Sequence, residues 1–138
     1  MEHIEEIKAD ERTIAIIIYN EFNKDGIEFF TPAEFSQQLG YMRHKKGHKI
    51  QEHIHELHPR EVSYTQETLF IRKGRVRVDF YKDDRSYLTG RELKTGDVIL
   101  LASGGHGFEF LEESEMIEVK QGPHAGDDDK VRFDGIKN

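Results

Sequence analysis

The sequence predicts a single all-β domain, and three observations carry this prediction. Apolar residues alternate with charged ones, as in Val76, Val78 and Phe80. This period of two is typical of half-buried strands, because successive side chains of a strand point to opposite faces. Turn formers such as Lys-Asp-Gly and Lys-Thr-Gly separate most of the short apolar runs. About nine such runs at a spacing of about ten residues favour a sandwich or a barrel.

The predicted strands follow one another along most of the chain. They cover residues 13–19, 27–30, 39–42, 50–57, 68–71, 76–80, 98–101, 108–111 and 116–119. Residues 31–38 are the one helical candidate, with Thr31 as N-cap and Pro32 at the first helical position, although a strand that begins there fits equally well. We expect four phenylalanines in the barrel core: Phe29, Phe30, Phe108 and Phe110.

The composition excludes several classes of protein. The chain has 138 residues and no cysteine, so disulfides and zinc-thiolate sites are excluded. Its net charge of −7, without a basic stripe, argues against a nucleic-acid partner. The longest aliphatic run, residues 14–18, is far shorter than a membrane helix, and the first residues lack the basic region of a signal peptide. We therefore expect a cytoplasmic protein without a membrane partner.

The histidines are the main chemical signal. Five of the eight fall within fifteen positions: His44, His48, His53, His55 and His58. On the predicted strand 50–57, His53 and His55 point to the same side, which suits chelation of a metal ion. A solvated surface pair is the alternative interpretation. Glu67, which precedes the apolar strand 68–71, and His106, which follows two glycines, are the candidates for further ligands.

The spacing of these residues resembles the cupin superfamily. Its first motif runs G(X)5HXH(X)3-4E(X)6G, and its second runs G(X)5PXG(X)2H(X)3N. The matching residues are Gly47, His53, His55, Glu67 and Gly74 in the first motif and Gly96, Gly104 and His106 in the second. Eleven residues separate His55 from Glu67, which is more than the motif has, and Ala102 stands in place of the proline. The local substitutes for Glu67 as a ligand are Glu56, His58, Glu61 and Gln66.

The resemblance implies a cupin double-stranded β-helix, or jelly-roll barrel, with extra N-terminal strands. The expected organisation is one domain over residues 1–138, with a strand arm over about 1–35, the motif-bearing barrel over about 36–120 and a tail over 121–138. The implied metal ligands are His53, His55, Glu67 and His106. The cofactor is then a divalent transition metal: iron, manganese, zinc, nickel or copper.

Further residues are candidates for binding a substrate. Arg60, Tyr64 and Gln66 lie in the long insertion between His55 and Glu67, and Arg60 has the planar fork that suits a carboxylate or a phosphate. A solvated loop is the alternative. Lys120 shares a strand face with Glu118, so the two form either part of a substrate pocket or a surface ion pair.

The expected function follows from the resemblance. It implies that the metal centre binds or acts on a small oxygen-rich molecule, a sugar or a small acid, by oxygenase or sugar isomerase chemistry if the protein is an enzyme. One alternative is a metal-independent epimerase or isomerase similar to those of nucleotide sugars, in which His53 or His55 moves the proton and Tyr64 assists. Another is a non-catalytic binding module. Residues 14–18 are more apolar than a strand with one wet face, so we also expect a homodimer that covers them.

Overall fold

The computed structural model describes residues 1–135, which form ten β-strands and one short 3-10 turn, Gly126–Asp129. The last three residues of the predicted tail, 121–138, lie outside the described residues. Across the part of the chain that the structure describes, no helix is long and apolar enough to cross a membrane. The strands are β1 (Ile4–Ala9), β2 (Arg12–Ile18), β3 (Gly26–Phe29), β4 (Gly40–Arg43), β5 (Glu67–Lys73), β6 (Arg75–Tyr81), β7 (Tyr87–Lys94), β8 (Val98–Leu101), β9 (Gly105–Phe110) and β10 (Glu115–Lys120).

The strands form several antiparallel sheets, an arrangement consistent with a β-sandwich. A five-stranded sheet has the order β1-β2-β8-β5-β10, and a three-stranded sheet has the order β7-β6-β9. The hairpin of β3 and β4 forms a separate two-stranded sheet. The all-β class predicted from the period of two is therefore confirmed at this level.

The main core joins the five-stranded and three-stranded sheets. Ile17, Leu69 and Ile99 of the first sheet cluster with Val78 and Phe80 of the second, and all five are at most 2 % exposed. These residues occupy alternate positions of their strands, as a sheet with one face on the core requires. The side chains at the intervening positions of β6, such as Arg77 and Asp79, form an ion pair outside this cluster.

A second, smaller core covers the other face of the five-stranded sheet. Ile16, Ile18 and Leu100 pack there with Phe22 and Leu39, which come from the chain around the β3–β4 hairpin. Every residue of the run 14–18 is buried, with Ile16 and Ile18 in this second core and the other three in the main core. The expectation that this run is covered is correct, but the cover comes from the chain itself. The predicted homodimer stays a prediction, and β2 no longer supplies an argument for it.

The strand predictions fail in three places. Residues 50–57 are not a strand: the whole stretch 44–66 lacks regular structure, because none of it pairs with a sheet. Residues 31–38 form turns rather than a helix or a strand. β1 and β7 were not predicted, because both are edge strands in which charged residues replace part of the apolar alternation.

Two of the four phenylalanines expected in the core lie at the surface. Phe29 is 57 % exposed and Phe110 is 51 % exposed, whereas Phe30 and Phe108 pack against the two core clusters. Phe29 lies on the short hairpin, outside both core clusters. Phe110 is the last residue of β9, where the sheet ends.

Candidate functional site

The candidate site lies on the inner face of the five-stranded sheet, at the end where β5 begins. Glu67 is the first residue of β5, and Leu69 and Ile71, which follow at alternate positions, are both 2 % exposed in the main core. Because residues two apart in a strand share a face, the side chain of Glu67 points into the sandwich. The strand therefore places a carboxyl group at the edge of an apolar core.

The neighbouring edge strand adds two charged groups to the same face. In β10, Lys120 is opposite Glu67 and Glu118 is opposite Leu69. Met116, two residues before Glu118, packs against the main core, so Met116, Glu118 and Lys120 share the core-facing side of β10. Because β10 is an edge strand, Glu118 on this side stays exposed to solvent. Glu67 and Glu118 lie in diagonal positions of the paired strands, within reach of each other.

The two carboxyl groups interact, and this changes the pKa of Glu67. Burial raises the pKa of Glu67 most strongly, and a hydrogen bond with Glu118 and the charge of Glu118 raise it further. Lys120 and Lys130 act in the opposite direction, and the resulting pKa is about 7. The carboxyl group of Glu67 therefore titrates near neutral pH, and a hydrogen bond to Glu118 favours its protonated form.

His106, on the opposite sheet, places an imidazole within electrostatic range of Glu118. It lies in β9, paired with the fully buried Phe80, and its ring contacts that of Phe108 with centroids 5.5 Å apart. Burial lowers the pKa of His106, the negative charge of Glu118 acts against this, and Lys130 lowers it further. The imidazole is thus neutral at pH 7. We call Glu67, His106, Glu118 and Lys120 the inner-face site.

The C-terminal segment borders the inner-face site. Asp129 accepts a hydrogen bond from Thr65 Oγ1 at 2.5 Å and lies 3.6 Å from Lys120 Nζ. A cavity of about 160 Å³ lies here, lined by Thr65, Lys120, His124 and Asp129 among others. The positive charge of Lys120 is therefore shared between the inner-face site and the segment that borders it.

The structure does not bring the four predicted metal ligands together. His53 and His55 lie within the exposed residues 44–64, with ring centroids 5.2 Å apart, and His53 Nδ1 is 2.8 Å from the carbonyl oxygen of Gln51. The strand geometry that supported their pairing is absent, since residues 50–57 are not a strand. Within residues 1–135 no group of three or more His, Cys, Asp or Glu side chains could hold a metal ion. This arrangement does not fit the expected metal centre, and the ligand set stays a prediction.

The substrate-binding candidates separate into different places. Arg60 is exposed and donates a hydrogen bond to the carbonyl oxygen of His58 at 3.4 Å. Tyr64 and Gln66 line a cavity of about 340 Å³ on the other side of the five-stranded sheet, and Lys120 belongs to the inner-face site.

Sequence reasoning found three of the four residues of the inner-face site and gave Glu118 no role of its own. The alternation of Met116, Glu118 and Lys120 contained the signal, because Met116 identifies which face of the strand is apolar. An ion pair between Glu118 and Lys120 at the surface was the simpler interpretation. The partner of Glu118 is a second carboxyl group, and this emerges only from the pairing of β5 with β10.

Comparison of the chain with protein-family models, with curated proteins and with solved structures finds no match in any of the three. The inner-face site is therefore interpreted from its own geometry and chemistry.

Proposed function

We propose that the protein binds a small oxygen-rich molecule at the inner-face site and moves a proton on it by acid–base chemistry. The observation that carries this proposal is the pKa of Glu67, which burial and Glu118 raise to about 7. A group that titrates near neutral pH is both available as a base and strong enough as an acid, which is what proton transfer needs. Raised carboxyl pKa values also cluster at functional sites.

The reaction class that suits these groups is proton transfer next to a carbonyl, as in an isomerisation or an epimerisation. The carboxylate of Glu67 takes a proton from carbon, and the electron pair moves to the carbonyl oxygen. Lys120 stabilises the resulting oxyanion through its positive charge. The carboxyl group of Glu67 then returns the proton to carbon, so no oxidant or reductant is consumed.

His106 has a separate task in this proposal. As a neutral imidazole it offers one donor and one acceptor nitrogen, so it can hold a hydroxyl group of the bound molecule. Glu118 raises the pKa of Glu67 through a hydrogen bond and its charge, and this makes the carboxylate of Glu67 a stronger base. The assignment differs from the alternative given by the sequence, in which His53 or His55 moves the proton.

We also propose that the sandwich is a cupin-type jelly roll. Support comes from Glu67 and His106, which belong to the two separate motifs and lie on facing inner surfaces beside the same carboxylate, Glu118. The metal that this family resemblance implies would supply Lewis-acid chemistry, with His53 and His55 as further ligands. Since these two histidines lie within the exposed residues 44–64, the proposed reaction has no step that runs through a metal.

The test is exchange of carbon-bound hydrogen for deuterium in D₂O, followed by proton NMR on a panel of aldoses, ketoses and 2-keto acids. We expect exchange with at least one substrate and an apparent pKa of about 7 in its pH profile. Glu67→Gln is expected to lower the exchange rate at least about 100-fold, because general acid–base groups contribute on this scale. Glu112→Gln, an exposed change in the turn before β10, is the matched control.

Two outcomes contradict the proposal. Exchange that persists in Glu67→Gln removes Glu67 from the chemistry. A ligand that binds at the inner-face site without any exchange supports the non-catalytic binding module instead.

A further inference from the structure

A second cavity lies on the opposite side of the five-stranded sheet from the inner-face site. Its volume is about 340 Å³, at the lower end of the range for small-molecule pockets. The stretch 61–66, the turn that contains Glu34 and Ser36, and the residues that follow β8 form its walls. Gln66 and Glu67 are adjacent, but they point to opposite faces because they are consecutive residues of an extended chain. The two sites are therefore distinct.

The side-chain amide of Gln66 is a buried polar group in the wall of this cavity. Gln66 is 5 % exposed, and its Oε1 accepts hydrogen bonds from the backbone N–H of Gln37 at 3.0 Å and from Ser36 Oγ at 3.2 Å. A backbone N–H is only a donor, so the oxygen of the amide must face Gln37. The Nε2 group then lies on the other side, and it has no acceptor within residues 1–135.

This nitrogen is not sealed inside the protein. Over the described range, the one fully buried side-chain nitrogen or oxygen without a partner is Glu28 Oε2. Gln66 Nε2 therefore keeps access to the cavity that its side chain lines. The two N–H groups of Gln66 Nε2 are held in a fixed position, so they can bind an acceptor oxygen of a ligand. Such a bond is favourable because leaving the two donors unpaired costs free energy.

The other groups of the second cavity define the ligand class. The carboxyl groups of Glu34 and Glu61 accept hydrogen bonds, and the charge of Arg12 is offset by its ion pair with Asp83. This balance disfavours an anion. The ring of Tyr64 is 66 % exposed; the guanidinium of Arg12 lies 5.5 Å from its centroid over one face, and the other face offers a flat apolar surface. Hydroxyl groups both donate and accept, and the carbon-bound hydrogens of a sugar ring match an aromatic face.

We propose that the second cavity binds a neutral, hydroxyl-rich ring of about monosaccharide size. Gln66 donates to one ring or hydroxyl oxygen, Glu34 and Glu61 accept from hydroxyl groups, and Tyr64 packs against the apolar side of the ring. This proposal is independent of the chemistry at Glu67, and its test leaves the inner-face site unchanged.

The experiment is a titration of the full chain, labelled with ¹⁵N, with methyl glycosides of glucose, galactose, mannose and rhamnose at millimolar concentrations. The side-chain NH₂ signals of Gln66 are assigned by their loss in Gln66→Glu. We expect one glycoside to shift these signals in a saturable way. Gln66→Glu keeps the acceptor for Gln37 and Ser36, replaces the donors by a second carboxyl oxygen and adds a negative charge beside Glu34 and Glu61, so we expect binding at least about tenfold weaker.

Controls and contrary outcomes separate this cavity from the inner-face site. Tyr64→Ala removes an exposed ring without touching the core, so it keeps the test decisive if Gln66→Glu does not fold, and it is also expected to weaken binding. Glu67→Gln is expected to leave the affinity unchanged. The proposal is overturned if no glycoside shifts the Gln66 signals, or if gluconate binds in preference to the glycosides. It is also overturned if a glycoside shifts the signals of His106 and Glu67 rather than those of Gln66.

Discussion

Replacing Glu67 by glutamine removes the ionisable group of the inner-face site while keeping its size. In the wild-type protein, the carboxyl group of Glu67 has to lose its proton beside Glu118 and at the edge of the core as the pH rises. Its pKa is about 7 in the folded protein and 4.5 when the chain is unfolded and solvated. A glutamine side chain stays neutral at all these pH values and donates an N–H to Glu118.

The sign of the effect follows from proton linkage. A folded-state pKa above the unfolded value means that the folded protein binds more protons between pH 4.5 and about 7. The stabilisation by Glu67 is therefore complete below pH 4.5 and is lost as the pH rises to about 7. A tenfold change in an acid constant corresponds to about 1.4 kcal/mol. The full difference between the folded and unfolded pKa of Glu67 sets an upper bound of about 3 kcal/mol on its effect on the free energy of unfolding. Solvent screening of this half-buried group reduces the effect to about 1 to 2 kcal/mol.

The assay is urea unfolding followed by circular dichroism, at intervals from pH 4 to pH 8.5. The free energy of unfolding of Glu67→Gln minus that of the wild type is expected to be near zero at pH 4 and to rise by about 1 to 2 kcal/mol by pH 8. His106 is present in both proteins, so its titration cancels in this difference. Glu112→Gln, exposed in the turn before β10, is expected to show no such rise. A difference that is flat or falls as the pH increases would falsify the account of Glu67.

Three further predictions concern the same fold. Burial lowers the pKa of His106, so His106→Gln should remove a loss of stability that the wild type shows on acidification below about pH 6.5, measured by the same urea series. Gly74→Ala should lower the free energy of unfolding by about 2 kcal/mol, because the φ angle of Gly74 is 97° and a Cβ atom there would lie 2.8 Å from the carbonyl oxygen of Glu113. The control is Gly107→Ala, since a Cβ atom at Gly107 meets nothing within 4 Å. Phe80→Ala should cost about 3 to 5 kcal/mol, since the ring is fully buried, and a cost under about 1 kcal/mol would contradict the described core.

The extent to which the fold was predictable depends on where each strand lies in its sheet. The predictions of β8 and β6 are close to the observed strands. Val76 and Val78 face the main core and alternate with charged residues, and β8 is apolar throughout because its two faces pack on the two cores. The edge strands β1 and β7 were missed, because an edge tolerates charged residues that obscure the period. Residues 50–57 had a strand-like apolar pattern but pair with no sheet. A local pattern predicts a strand only if a partner strand is available.

The sequence alone predicts the all-β class and singles out three members of the inner-face site, Glu67, His106 and Lys120. Glu67 and His106 each stand out locally, as a carboxyl group before an apolar run and an imidazole after two glycines. Their placement around Glu118 depends on the tertiary structure, because three strands separate β5 from β9 in the chain, and β9 and β10, though consecutive, belong to different sheets. Only strand pairing sets which of these side chains share a face. The pKa of Glu67 has the same origin. Burial and a neighbouring charge depend on distances in space, and these are fixed by packing rather than by sequence spacing.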